Sequence, residues 1–505
     1  MKFKRSIKNI MMAVISQIIG VALAIMIPRL VITGYGSEVN GLLSTIGNIY
    51  TYLALIETGI GTVAVQALYK PVVEDDKKRI SQIVAATRRY YHKFTTFYFI
   101  AMVIASFLFP FIYAGEIKYW AIVAIMLLQG MASVLNYWLI GAYGPILNAE
   151  GKNYVDNRVK MFTTILTNVV KIILVSRLVN IVLLQLSYFI ISMISIGIYL
   201  VYFKVNYKWL DFKEEADMGA LSERNSMVLH QITTLITTNT DTIVISIFCG
   251  LKMASVYAIY NLIFGQMSSM FSIIFNSVSF TLGQTFNEDR SRYLRLHDAY
   301  KTCYCCTVYA IYSIGYILIL PFVSLYTKGV TDIPYVDIGI AFLFALNNIL
   351  WNCRQTENNL IYVAGHVKKT VSRNIAESTI NILASLLLVH FWGIYGVLLG
   401  TTLAFLYRTN DVLLYVNHRI LDRSAKRSYI TVITNFVLFG GAVVVEKLLH
   451  NYLMQTITNY FIFIKWGFII AIPTVIVFFV VNFITNIDAG RFLLEIVKRH
   501  IPAKH

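Results

Sequence analysis

The sequence predicts an all-α polytopic membrane protein: 14 transmembrane helices, forming two parallel six-helix lobes around a central cavity, plus two extra C-terminal helices. Three observations predict it: a composition too apolar for water, a series of runs long enough to cross a bilayer, and landmarks that recur at one offset. Hydrophobic residues make up 57% and charged residues 14% of the 505 positions, against about 45–50% and about 25% in soluble domains. A water-soluble chain of this length would split into about three domains, and there is too little charge to coat them. Soluble enzymes, disordered chains and disulfide-stapled secreted proteins are excluded on this ground.

A membrane helix needs about 20 mostly apolar residues, since about 30 Å of hydrocarbon is crossed at about 1.5 Å per residue. Runs free of Asp, Glu, Lys and Arg meet that length at 9–28, 94–115, 119–149, 178–203, 253–287, 302–327, 378–407 and 466–487. Runs with one or two charges cover 39–69 with Glu57, 158–177 with Lys171, 225–249 with Asp241, 338–363 with Arg354 and Glu357, and 428–446. The run 378–407 divides at His390–Gly396 into two spans, which brings the count to fourteen. The basic start and following apolar stretch look like a signal peptide. The stretch runs on to Val31 with thirteen spans behind it, so an uncleaved first helix is expected.

Charge tests the count. With both termini inside, 34 of the 43 Lys and Arg fall in inner segments, six at outer positions and three (Arg29, Lys171, Arg354) within spans. Cytoplasmic loops hold such an excess, so the net charge of +17 is read as topology rather than nucleic-acid binding. The expected topology is multi-pass with both termini cytoplasmic. No outer loop is long; the longest, 450–460, holds no cluster of His, Asp or Glu for glycosyl-transfer or polymerase chemistry.

Landmarks recur along the chain. Gly36 and Gly250 lie 214 apart, Pro110-Phe111 and Pro321-Phe322 lie 211 apart, Leu135-Asn136 and Leu346-Asn347 lie 211 apart, and Gly151 and Gly365 lie 214 apart. The repeating unit is six spans, an even number, so both copies point the same way. Parallel repeats place a substrate site between the halves. The expected division is 1–210 for the first lobe, 211–427 for the second, and 428–505 for the two added spans and tail.

At the first hairpin, a basic start leads through an apolar helix to Ile27-Pro28-Arg29-Leu30, Gly34-Tyr35-Gly36, Asn40-Gly41 and Thr58-Gly59-Ile60-Gly61. This pattern, over about residues 5–70, resembles the polysaccharide flippase family of the multidrug/oligosaccharidyl-lipid/polysaccharide exporter superfamily. The turn is longer here, and Gln66 stands where many relatives carry Arg. The resemblance implies translocation of undecaprenyl-diphosphate-linked oligosaccharide repeat units for O-antigen, capsule or exopolysaccharide synthesis, by alternating access around a cationic cavity. It implies no enzymatic step and no cofactor, with membrane lipids and a polysaccharide polymerase as further partners. The same superfamily offers two alternatives: flipping of the lipid-linked peptidoglycan precursor, and multidrug or organic-cation antiport.

Charge inside a span costs at least about 2.5 kcal/mol at the centre, so each instance needs a reason. Arg354 with Glu357, Arg373 with Glu377, and Arg408 with Asp411 have the spacing of same-helix pairs. Glu57, Lys171 and Asp241 have no such neighbour and are expected to face another helix or a wet cavity. A diphosphate needs Arg or Lys close by, and Arg29, Lys171 and Arg354 are the candidates. Glu57 and Asp241 are candidates for a coupling H+ or Na+. The polar run Thr233, Thr234, Thr237, Thr238, Asn239, Thr240, Asp241 and Thr242 is expected to line the cavity, with Asn261, Gln266 and Asn348 adding hydrogen-bonding capacity. Cys249, Cys303, Cys305, Cys306 and Cys353 read as packing residues rather than metal ligands, and no metal site is expected. The sequence shows no phosphate loop, nucleophile elbow or nucleotide-binding domain.

Overall fold

The computed structural model describes residues 20–113, 115–212, 214–217, 219 and 239–492, without the side chains of 55, 56, 58, 59, 273–281, 284 and 287. Within these the chain is helical throughout, and eight helices are long and apolar enough to cross a membrane. Thr233, Thr234, Thr237 and Thr238 lie outside the described residues. The chain divides into two compact units, Met1–Ala258 and Ile259–His505.

The first unit holds α1 (Gly20–Tyr35), α2 (Ser37–Leu53), α3 (Leu55–Glu74), α4 (Lys77–Ile112), α5 (Tyr119–Ile140), α6 (Tyr143–Ala149), α7 (Asn153–Ser176), α8 (Ile181–Asn206) and α9 (239–248). Next comes α10 (Leu251–Glu288), whose first residues belong to this unit. The second unit continues with α11 (Arg290–Tyr326), α12 (Ile338–Cys353), α13 (Gln355–Val363), α14 (Val367–Trp392), α15 (Ile394–Tyr415), α16 (Lys426–Thr456) and α17 (Tyr460–Thr485). Three expected spans are interrupted: the second at Ala54, the fourth at Gly141-Ala142 and the tenth at Arg354. Nothing in the apolar runs marks these breaks.

The duplicated landmarks share geometry as well as spacing. Gly36 and Gly250 adopt φ 88° and 87°, and Gly151 and Gly365 adopt 67° and 68°. Only glycine takes such angles without strain. Asp76 caps α4 by accepting from the Arg79 amide at 2.9 Å, and Asp289 caps α11 by accepting from the Arg292 amide at 3.0 Å. An aspartate at the N-cap satisfies an amide that the helix leaves free. The interruptions at Gly141-Ala142 and Arg354 fall at the same repeat offset.

Burial follows the logic of lipid solvation. Phe107, Leu108 and Phe111 on α4, Leu383 and Leu387 on α14, and Phe461, Phe468 and Ile472 on α17 are exposed, while Tyr98, Thr95 and Ser106 face inward. Small residues set the closest helix contacts. A Cβ on Gly41 would lie 1.8 Å from the Leu251 carbonyl oxygen, and beside it the Asn40 amide donates to Ser255 Oγ at 2.7 Å. In the second unit, Gly396 and Gly400 form a Gly-x-x-x-Gly stripe against α14; Cβ atoms there would meet Leu388 O at 2.1 Å and Ser385 N at 2.5 Å. Such stripes let membrane helices approach backbone to backbone.

Candidate functional site

The first unit encloses a cavity of about 750 Å³ among α3, α4, α5, α6, α7 and α8. The α5–α6 interruption shapes it. Gly141 has no side chain, and a Cβ there would strike the Tyr91 ring at 2.6 Å. Tyr91 therefore lies against the break and donates its hydroxyl to Glu57 Oε1 at 2.8 Å. Across the cavity Asp156 accepts from the Tyr199 hydroxyl and pairs with Lys160 at 2.7 Å, one helical turn along. Gln66, Asn136, Asn148, Asn153 and Asn157 supply carboxamides to the wall, and Tyr69 and Tyr137 supply rings. Two carboxylates against one ammonium leave the cavity formally anionic, so a diphosphate is disfavoured inside it.

Among the described residues, the ends of α6 and α8 converge beside this cavity. Lys152 reaches Glu150 at 2.6 Å, and the Tyr207 hydroxyl donates to the same Glu150 carboxylate at 2.5 Å. Burial, then the bond to Glu150, pushes the Tyr207 phenol well above its usual range, so it remains a donor. Residues on either side of position 213 meet α4: Arg79 pairs with Asp217 at 2.5 Å, and Arg88 sits 4.5 Å over the Phe212 ring.

The other expected residues of this unit lie elsewhere. Lys171, midway along α7, is half-buried with its ammonium 5.6 Å over the Tyr188 ring. No carboxylate lies within ion-pair distance of it among the described residues. Arg29 is half-buried on α1. Asp241 is buried and accepts from Tyr257 at 3.3 Å. Thr240 is bonded to Tyr52 on α2, so its hydroxyl also joins helices, and Asn239 beside it is half-buried. Glu38 is buried, accepting from the Tyr113 hydroxyl and from the Glu116 amide at 2.8 Å. Nothing in the spacing marked Glu38.

In the second unit the acids meet bases from other helices. Lys301 pairs with Glu357, both buried. Arg354 donates to Glu377 at 2.6 Å, Arg408 approaches Glu377 at 3.7 Å and Asp411 at 2.5 Å, and Arg373 also meets Asp411. The same-helix partners expected for Arg354 and Arg373 are therefore replaced by partners on other helices, whereas Arg408–Asp411 pairs as its spacing suggests. Arg354 is 2% exposed and lies between the Trp351 and Phe405 rings; its Nε and Nη1 have no hydrogen-bond partner among the described residues. Of the expected polar residues here, Asn261 is exposed, Gln266 is half-buried, and Asn348 donates to its own helix at Phe344 O. The neighbouring Asn352 carries more bonding, to Ser268 and to Tyr312 at 3.0 Å. All five cysteines are free thiols.

Similar solved structures share this architecture. The lipid II flippase MurJ in an inward closed conformation aligns with a TM-score of 0.67 at 12% identity, over 95% of this chain and 100% of that one. A multidrug resistance MATE family transporter of the MOP superfamily aligns in its inward-facing conformation with a TM-score of 0.63 at 14% identity, over 82% of this chain and 98% of that one. The outward-facing conformation of a MATE family transporter gives 0.56 at 15% identity, over 83% and 95%. The chain has their fold. It is an all-α, multi-pass membrane protein of that architecture. No family model matches the sequence, and no curated relative matches it.

Proposed function

We propose that the protein is a non-enzymatic flippase that moves undecaprenyl-diphosphate-linked oligosaccharide repeat units across the bacterial cytoplasmic membrane by alternating access. On this reading 1–210 and 211–427 are the two moving lobes, 428–505 is an addition, and both termini are cytoplasmic. The observation that carries it is Lys171: a half-buried ammonium inside a span, faced by an aromatic ring and by no carboxylate among the described residues. An unneutralised cation at membrane depth is costly and marks a site for an anion. Arg29 is the second phosphate ligand. Arg354 joins them through its two free donor nitrogens only in a state that exposes it, because Glu377 now matches its charge. Glu57 and Asp241, each accepting from a tyrosine hydroxyl, are assigned the exchange of a coupling H+ or Na+. Asn239, Thr240, Asn261, Gln266 and Asn348 are assigned to the sugar-facing wall.

Support for a lipid-linked substrate comes from coverage. The flippase alignment spans 95% of the chain and the inward-facing multidrug transporter alignment 82%. The shortfall is about the length of the α16–α17 hairpin. A second reading, organic-cation antiport, is favoured by the anionic, tyrosine-lined cavity of the first unit. The test is surface glycan in cells carrying Lys171→Ala or Arg29→Ala at normal protein level. The expected result is loss of glycan with lipid-linked repeat units accumulating; wild-type glycan in both refutes the phosphate assignment. Unchanged glycan on depletion of the whole protein, with increased sensitivity to cationic drugs, selects the second reading instead.

A further inference from the structure

The cavity of the first unit is built from groups that the phosphate assignment does not use. At about 750 Å³ it falls within the roughly 300–1,000 Å³ of small-molecule sites, in which a few placed polar groups set orientation. Gln66, Asn136 and Asn157 line it, and none has a hydrogen-bond partner among the described residues. Each offers two N–H donors and a carbonyl acceptor. Bonding capacity left open on three sides of one cavity selects a ligand with donors and acceptors all round it. Tyr69 and Tyr137 add flat apolar faces with polar edges. Hydroxyl-rich rings with apolar faces engage the whole wall; a lipophilic cation would engage the charge and the rings but leave the carboxamides without partners. The ionic groups refine the choice. Asp156 is matched by Lys160, and Glu57 remains with a phenol as its partner. The excess charge is negative, which repels phosphate and acidic sugars and accepts neutral or amino-bearing ones.

We propose that this cavity is a carbohydrate subsite that takes a neutral or amino-bearing pyranose of the transported lipid-linked glycan, held by Gln66, Asn136 and Asn157 against Tyr69 and Tyr137, while its diphosphate stays outside. The assignment rests on the flippase reading for the origin of the sugar and on the cavity alone for the binding. Asn136 and Asn157 make no hydrogen bond among the described residues, so replacing both by leucine removes ligand contacts without breaking a described helix contact.

The experiment uses the full chain in lipid nanodiscs, free of maltoside detergent, and saturation-transfer NMR with methyl glycosides of glucose, galactose, glucosamine and N-acetylglucosamine. Wild-type protein is expected to transfer saturation to at least one glycoside. In the Asn136→Leu/Asn157→Leu variant the half-saturating concentration rises at least about fivefold. Absence of transfer to every glycoside overturns the proposal. So does equal transfer in the leucine variant, or binding of tetraphenylphosphonium without any glycoside. Cells separate the two claims. If depletion of the protein abolishes surface glycan but the leucine variant supports it fully, the subsite fails and the flippase reading stands. If depletion leaves glycan unchanged while glycosides bind and the variant weakens them, the flippase reading fails and the subsite stands.

Discussion

Removing one member of the Lys301–Glu357 pair has a magnitude that the structure sets. The side chains are 3% and 0% exposed, and besides Lys301 the Glu357 carboxylate receives only the Thr356 hydroxyl, at 2.6 Å. Lys301→Met leaves a buried carboxylate with one neutral donor, and Glu357→Leu leaves a buried ammonium. Stranding one charge of a buried pair costs about 3–5 kcal/mol, whereas replacing both by apolar groups of similar volume is neutral or stabilising by about 1–4 kcal/mol. The Lys301→Met/Glu357→Leu double variant should therefore be at least as stable as wild type while each single variant loses about a fifth or more of a typical 5–15 kcal/mol. Unfolding by dodecyl sulfate titration in mild micelles, followed by tryptophan fluorescence, measures all four corners of the cycle. Singles within 0.5 kcal/mol of wild type, or a double variant that loses the sum of the two, would refute the reasoning, because additivity would mean the groups do not compensate each other.

Two other substitutions probe packing. Gly41→Val should abolish folded protein, since its Cβ alone would overlap the Leu251 carbonyl at 1.8 Å; a monodisperse gel-filtration peak at wild-type yield would contradict this. Asn435 on α16 and Asn482 on α17 exchange amide bonds, both 2.9 Å, in a buried contact. Asn435→Leu should cost about 1–3 kcal/mol by orphaning Asn482, and adding Asn482→Leu should restore most of it in the same titration.

The order of the helices was legible because lipid and water sort residues by type, and a run of about 20 apolar positions has one explanation. The turn glycines were legible for a related reason: Gly36 and Gly250 hold a backbone angle that local sequence alone demands, whereas the caps Asp76 and Asp289 went unread. The interruptions at Ala54, Gly141-Ala142 and Arg354 were hidden because lipid tolerates a short break wherever protein or water satisfies the backbone. Of the charge partners read from spacing, only Arg408–Asp411, supplied by one helix, is found among the described residues. For Arg354, spacing favoured Glu357, yet Glu377 on α14 holds it and Lys301 on α11 takes Glu357. Spacing ranks neighbours along one helix, and burial selects among neighbours on several.

The two units satisfy their acids by different means, and the difference has a functional consequence. In the first unit Glu38, Glu57, Glu150, Asp156 and Asp241 each receive a tyrosine hydroxyl, from Tyr113, Tyr91, Tyr207, Tyr199 and Tyr257, and Glu150 and Asp156 also pair with Lys152 and Lys160. In the second unit Glu357, Glu377, Asp411 and Asp298 receive Lys301, Arg354, Arg408 and Arg423, while Asp337 is bonded to Tyr395 and Glu446 to His450. A phenol stabilises a carboxylate without cancelling its charge, so an acid held by tyrosine can still take up a proton or cation with one hydrogen bond rearranged. An acid locked to a guanidinium must first strand its partner, which costs several kcal/mol when both are buried. On the proposed coupling reading, Glu57 is therefore the acid best placed to exchange an ion, and the second unit's ionic groups hold its helices in register. A coupling mechanism that loaded ions at Glu357 or Glu377 would have to break the contacts that fix α11, α13 and α14 on every cycle, whereas one at Glu57 moves only the Tyr91 hydroxyl, in a cavity already open beside it.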